Sequence, residues 1–297
     1  MPNLTPDIDA TGQAVREWLA ANVPSLEAVL ELTTNAHGSI TSFDFEVAGA
    51  QEAEVARVVA IGLVEERLGL RPAAFSAWFN AMTDGAGLGG HQTNVRDYVR
   101  TLAGTPEQSR TEIHLFGLVA EYMLRTLLAK VDRGLGLPER IEGHDWGATE
   151  HGADALAIYR HGNQLHLRLW ESKAVTGETV YPTTVVGQAR DQLGKDGWEY
   201  LARYITVARR AGGETDIDAF IVAMPDLWRD GDARAGAGVA IATHTTKPTA
   251  GCFSGLAGHL GLPDANKQGH LVVAGDYTAF AYEVRRLIWN GAGWTAP

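Results

Sequence analysis

Apolar residues recur at helical spacing over residues 11–32, where Val15, Trp18 and Leu19 share one face. That pattern predicts a helix broken near Pro24. Residues 40–47 alternate about Phe43 and Phe45, which predicts a strand. Residues 52–68 read as helical or mixed and 72–82 as helix. The glycine-dense stretch 84–92 reads as loop, and residues 111–131 as a further helix.

The next block is the most patterned. Residues 141–145 predict a short strand and 154–159 a second one, followed by the turn signal His161-Gly162-Asn163. Residues 165–173 alternate strictly: Leu165, Leu167 and Leu169 point one way, and Glu171 and Lys173 continue that face. A long helix is expected over 185–210, carrying Leu193, Trp198, Leu201 and Ile205, and an apolar strand over 217–224 that stops at Pro225. Residues 226–238 read as a polar loop, 239–243 as a strand and 245–269 as a stretch of Gly, Pro and small residues. A strand at 270–274 and a closing helix at 277–289 complete the chain. No internal repeat is present. The expected fold is α/β, a mixed central sheet flanked by helices. A soft boundary at 104–108 divides an N-terminal α+β region (1–104), suited to partner or substrate contact, from a core domain (105–297).

Composition narrows the classes. With 297 residues, 45% of them hydrophobic, the chain can bury a sizeable core. A formal net charge of -11 counts against unaided binding of a polyanion, although a local cationic groove can sit on an acidic body. Cys252 is the only cysteine, which excludes a disulfide within the chain. No apolar run approaches the roughly 18 residues of a membrane span, and the first residues lack a signal-peptide pattern, so a cytoplasmic protein is expected.

The candidate chemistry sits on the predicted hairpin. Gly152-Ala153-Asp154 opens one strand, and Glu171-Ser172-Lys173 ends the next. Two charges at the end of a leucine face are costly to bury unless paired or bound to an ion. Two carboxylates hold a hard cation such as magnesium, which polarises a phosphoryl group. A neighbouring lysine positions or deprotonates the attacking water, or stabilises developing negative charge.

Gly-x-Asp on one strand and Glu-x-Lys at the end of the following strand is similar to the PD-(D/E)xK nuclease superfamily, over roughly residues 111–224. The resemblance implies a restriction-endonuclease-like core and a DNA phosphodiester substrate. It implies Mg2+ (with Mn2+ as a substitute) held by Asp154, Glu171, the backbone carbonyl of Ser172 and a helical glutamate. Lys173 is then the family lysine. Gly117-Leu118-Val119-Ala120-Glu121 points to Glu121 as that glutamate, with Glu112 the alternative. Gln188 and Gln192 both match the glutamine that many members carry on the helix after the third strand. The proline of the family name is missing before Asp154. The element order and the closing segment (271–290) also resemble nuclease subunits of Hachiman-type anti-phage defence systems, which implies a helicase partner.

Plainer readings stand beside these. Asp154 can shape a turn, Glu171 and Lys173 can form a surface ion pair, and Glu121, Gln188 and Gln192 can be solvated helix residues. The same fold can serve as a catalytically inactive binding subunit. His144, His151, His161 and His166 fit no zinc spacing, although His144 or His151 is placed to touch phosphate. Residues 85–90 spell a dinucleotide-binding turn but follow a helix pattern instead of a strand. Cys252 with His244 or His259 spells a thiol hydrolase pair only loosely. Arg209-Arg210 and Arg285-Arg286 are short basic pairs on helices.

Overall fold

The computed structural model describes residues 12–47, 49–107, 112–143, 153–176, 179–211 and 216–295. After α1 (Gly12–Asn22) and a 3-10 turn come the hairpin strands β1 (Glu31–His37) and β2 (Ile40–Glu46). Four helices follow: α2 (Glu52–Leu68), α3 (Pro72–Asp84), α4 (Gln92–Ala103) and α5 (Glu112–Leu128). The remainder runs β3 (Arg140–Gly143), β4 (Ala155–His161), β5 (Gln164–Ala174), α6 (Pro182–Ala211), α7 (Asp216–Arg229), β6 (Ala235–His244), β7 (Lys267–Ala274) and α8 (Tyr277–Gly291).

The strands form one seven-stranded mixed sheet in the order β1-β2-β7-β6-β5-β4-β3. β3, β4 and β5 are an antiparallel meander; β5, β6, β7 and β2 run parallel; β1 closes the far edge antiparallel to β2. Parallel strands need cover on both faces, and helices supply it. On one face Leu156, Ile158, Leu167, Leu169, Val239 and Ile241 pack on α6 and α7 through Val185, Leu193, Leu201, Ile221 and Met224. On the other, Phe45 and Val272 join α2, α3, α4, α5 and α8, while Ala155, Ala157 and Trp170 meet Leu124 and Leu128 of α5. The sheet and this second core both run across the expected boundary at 104–108. β2 pairs with β7, and the Trp289 indole donates to the Gly104 carbonyl at 3.1 Å.

Gly238 is required by a close approach: a β-carbon on it would stand 2.2 Å from the Trp170 ring, so only glycine lets that indole lie across β6. No helix among the described residues is long and apolar enough to cross a membrane.

Several expectations are corrected. Residues 217–224 are not a strand but the middle of α7, which buries Phe220, Ile221, Met224, Leu227 and Trp228 along one side and leaves Val222 exposed. A short apolar run satisfies both periods; the acidic first turn (Asp216, Asp218) and Arg229 in the last turn carry the helical signal. The strand paired with β5 is β6, and it begins within the stretch read as loop. At the N-terminus the helix ends at Asn22, and the segment read as its tail becomes β1. Six of the seven β1 residues are exposed, so an edge strand of this kind shows no apolar alternation. Trp198, expected on the apolar face of α6, is half exposed.

Candidate functional site

β4 and β5 pair with Ala155 opposite Trp170 and Leu156 opposite Leu169, and the ladder stops there, with Asp154 just ahead of β4 and Glu171 one residue past Trp170 on β5. The Asp154 N–H donates to the Trp170 carbonyl at 2.9 Å, one residue short of the partner a continued ladder would give it, so the chain bends at Asp154 and the regular pairing ends. Lys173 lies two residues beyond Glu171, on the same side. Glu171 and Lys173 continue the leucine stripe that α6 covers.

The two carboxyl groups are sunk. Glu171 is 1% exposed and Asp154 7%, while about a third of the Lys173 side chain (32%) reaches solvent. Asp154 accepts a hydrogen bond from the Ser172 N–H, and the Lys173 ammonium donates to Glu171 Oε1. Glu171 Oε2 is buried with no hydrogen-bond partner among the described residues. From the other face of the sheet α5 brings Glu121, whose carboxyl shares a hydrogen bond with that of Asp154. Arg125, one turn further along α5, lies near this group and pairs with Glu66 at 2.9 Å.

The electrostatics follow from this crowding. Burial, and then the Asp154 charge, push the Glu171 carboxyl well above the usual carboxylate range against the pull of Lys173. Burial and Asp154 raise Glu121 in the same way, and Arg125 offsets part of that rise. Burial opposes the charge on Lys173, but Glu171 and Asp154 outweigh it and hold the ammonium above its ordinary value.

Three mutually repelling carboxyl groups and an orphaned carboxylate oxygen suit a hard cation, which takes oxygen ligands. In the arrangement seen, however, no three His, Cys, Asp or Glu side chains among the described residues converge as a metal-binding group. One Asp154 oxygen is held by the Ser172 N–H and one Glu171 oxygen by Lys173. The residues therefore fit a metal by donor chemistry and by the free Glu171 oxygen, with Lys173 and the Ser172 amide as the competing partners.

The glutamines separate. Gln188 is exposed, whereas the Gln192 amide donates to the Tyr200 hydroxyl at 3.2 Å. Tyr200 is buried next to Glu171 and Lys173, and Tyr204, one turn on, lies near Asp154 and Glu142. Neither tyrosine was singled out by the sequence, where the i, i+4 pair on α6 was the available signal. Glu112 opens α5, but its side chain lies outside the described residues, as do His144 and His151 and the side chains of Arg209 and Arg210.

His161 and His166, 6.2 Å apart, sit at the turn end of the hairpin. That is about 17 Å along the strand from Glu171. Cys252 is buried, and burial pushes its thiol up to about 12, which leaves it protonated and argues against a nucleophile. The glycines of 85–90 follow α3, as the sequence pattern implied. Arg286 is held by Glu283, and Arg285 stacks on Tyr282 and Trp289.

The opposite face of the same strands is cationic. Arg133 and Arg168 are both buried there, and no ion pair holds either one among the described residues. Arg133 lies over Phe43 and Trp170 and bonds His270 at 2.8 Å; Arg168 donates to Gln268 at 2.6 Å. No protein-family model matches this chain, and no curated protein does.

Proposed function

We propose that this chain is a divalent-metal-dependent nuclease of the PD-(D/E)xK type, with a restriction-endonuclease-like core, hydrolysing DNA phosphodiester bonds. The observation that carries this reading is the close approach of the Asp154 and Glu171 carboxyls at the end of β5, with a buried Glu171 oxygen that lacks a partner among the described residues and with Lys173 beside it. The succession α5, β3–β4–β5 meander, α6, and β6 parallel to β5 also supports it.

In this reading Asp154, Glu171 and Glu121, with the Ser172 carbonyl, would hold Mg2+ or Mn2+. The bound ion supplies positive charge to the phosphoryl oxygens as the bond breaks. Glu171 and Asp154 keep Lys173 protonated near neutrality, so its ammonium orients the attacking water or stabilises the phosphoryl charge instead of acting as a base. Gln192 fixes the Tyr200 hydroxyl at the border of the site. The net charge of -11 favours substrate delivery by a basic partner, a helicase in the defence setting that the resemblance implies.

Two observations favour a second reading. The Glu171–Lys173 ion pair and the lack of a converged three-ligand group among the described residues suit a catalytically inactive nuclease-fold binding subunit.

Incubation with plasmid and single-stranded DNA, with and without Mg2+ or Mn2+, separates the two. The nuclease reading expects metal-dependent cleavage by the wild type and a loss of roughly a hundredfold or more in Glu171→Ala and Lys173→Ala. Equal cleavage by both variants removes the assignment. DNA binding without cleavage in any metal selects the binding subunit.

A further inference from the structure

The C-terminal ends of β5, β6 and β7 converge on a cavity of about 570 Å³. In open α/β sheets ligands bind beyond the carboxyl ends of the strands, where successive connections leave for opposite faces. That condition holds here: the chain leaves β5 for α6 on one face and leaves β7 for α8 on the other. The volume lies within the roughly 300–1,000 Å³ of small-ligand sites.

The lining is specific in kind. Tyr181 is half exposed, and the Lys247 ammonium stands 5.6 Å from its ring centroid. Thr176, Thr246 and Thr278 contribute hydroxyls. His244 accepts the Tyr277 N–H on Nδ1 at 3.1 Å, so in the neutral ring Nε2 carries the proton and is a donor. The one acid of the lining, Asp276, is occupied: it caps the Ala279 N–H at 3.0 Å and lies 3.3 Å from His244. The cavity also lies beside the carboxylate cluster. Thr176 follows Lys173 by three residues, about 10 Å at strand rise, and the Val175 N–H bonded to Ala242 at 2.8 Å keeps that segment on the sheet.

We propose that this cavity binds single-stranded nucleic acid, seating one unstacked nucleotide next to the Asp154–Glu171–Lys173 cluster. The choice of polymer rests on the nuclease reading. The base stacks on Tyr181, and Lys247 with the threonine hydroxyls and His244 meets the phosphate and sugar. An exposed aromatic ring beside a cation is the usual platform for a strand without sequence preference. A space for one nucleotide selects an unpaired strand over a stacked duplex.

The test is fluorescence anisotropy of labelled oligo(dT), oligo(rU) and a blunt duplex with the full chain in EDTA, where metal-dependent cleavage cannot occur. Wild type is compared with Tyr181→Ala, Tyr181→Trp, Lys247→Ala and Glu171→Gln. Tyr181 is half exposed, so its variants are expected to fold. The proposal expects the single strand to bind more tightly than the duplex, and the tighter of the DNA and RNA arms names the natural strand. Tyr181→Ala is expected to weaken binding about 5- to 150-fold and Tyr181→Trp to retain it. Lys247→Ala is expected to reduce the slope of log K against log salt by about 0.7.

Wild-type affinity in both Tyr181→Ala and Lys247→Ala overturns the proposal, as does a preference for duplex. The two readings fail separately. Tyr181-dependent binding with no cleavage in Mg2+ or Mn2+ keeps the cavity and removes the nuclease. Cleavage lost in Glu171→Gln, with binding indifferent to Tyr181, keeps the nuclease and removes the cavity.

Discussion

Replacing Glu171 by Gln is expected to stabilise the metal-free protein and to abolish its stabilisation by magnesium. Burial and Asp154 raise the Glu171 carboxyl above its unfolded value. A raised pKa contributes stability that is fully present below the unfolded pKa, about 4.3, and is lost as the pH climbs through the folded value. At pH 8 the unfolded chain has ionised this group freely, while the folded chain either retains the proton or buries the charge. Each unit of elevation corresponds to about 1.4 kcal/mol. Gln removes that term and relaxes Glu121 and Asp154, which Glu171 repels. Against this stands the loss of the Lys173 pair, about 1 kcal/mol at most, because 32% of that side chain is open to water. A net gain of about 1–3 kcal/mol is expected at pH 8, shrinking toward pH 4. At about 2–4 °C per kcal/mol the shift is readable by scanning calorimetry in EDTA. Magnesium at about a hundred times its Kd adds about 2.7 kcal/mol to the wild type and nothing to the variant, so the gap between the two Tm values closes, and it reverses where the metal-free gain is below about 2.7 kcal/mol. A variant less stable than wild type in EDTA at pH 8, or an equal magnesium shift in both proteins, refutes the reasoning.

Further outcomes follow from the same geometry. Because burial and Asp154 raise Glu171 and Glu121, a divalent ion must displace protons, so apparent Mn2+ affinity is expected to rise through neutrality by up to about tenfold per pH unit for each proton displaced. Calorimetric titrations in buffers of different ionisation enthalpy measure this, and binding without proton release speaks against it. Gly238→Ala sets a β-carbon 2.2 Å from the Trp170 ring and is expected to cost about 1–3 kcal/mol in urea denaturation; an unchanged midpoint would show that the indole moves freely. Cys252→Ala is expected to leave nucleolytic activity intact and to lower stability by about 1 kcal/mol, since the thiol is buried and protonated. A stable but inactive Cys252→Ala protein would return the thiol to consideration.

The hairpin bearing the candidate site was legible because Leu165, Leu167 and Leu169 alternate without a break and the His161-Gly162-Asn163 turn ends the preceding strand. With side chains at period two, the face of Glu171 and Lys173 followed from the leucines alone. Residues 217–224 were misread because the run from Ala219 to Met224 is continuously apolar, which a buried strand also shows, although Ile217, Phe220, Ile221 and Met224 fall at the helical spacing with which α7 lies on α6. β1 left no mark because an exposed edge strand buries too little to impose a pattern. Tyr200 and Tyr204 were passed over because a long helix offers several tyrosine-bearing faces, and only the packing of α6 on β5 selects one.

The order of chemistry-bearing residues along the chain, and the side of the strand on which Glu171 and Lys173 stand, were determined by sequence, because steric alternation within one strand is a local property. The approach of Glu121 to Asp154, the burial that raises their neighbours' pKa values, the parallel joining of β2 to β7 and the cavity beside Lys173 were decided by tertiary structure. Each of these joins segments far apart in sequence, and whether a contact forms there depends on the whole core closing around it, which no local pattern encodes.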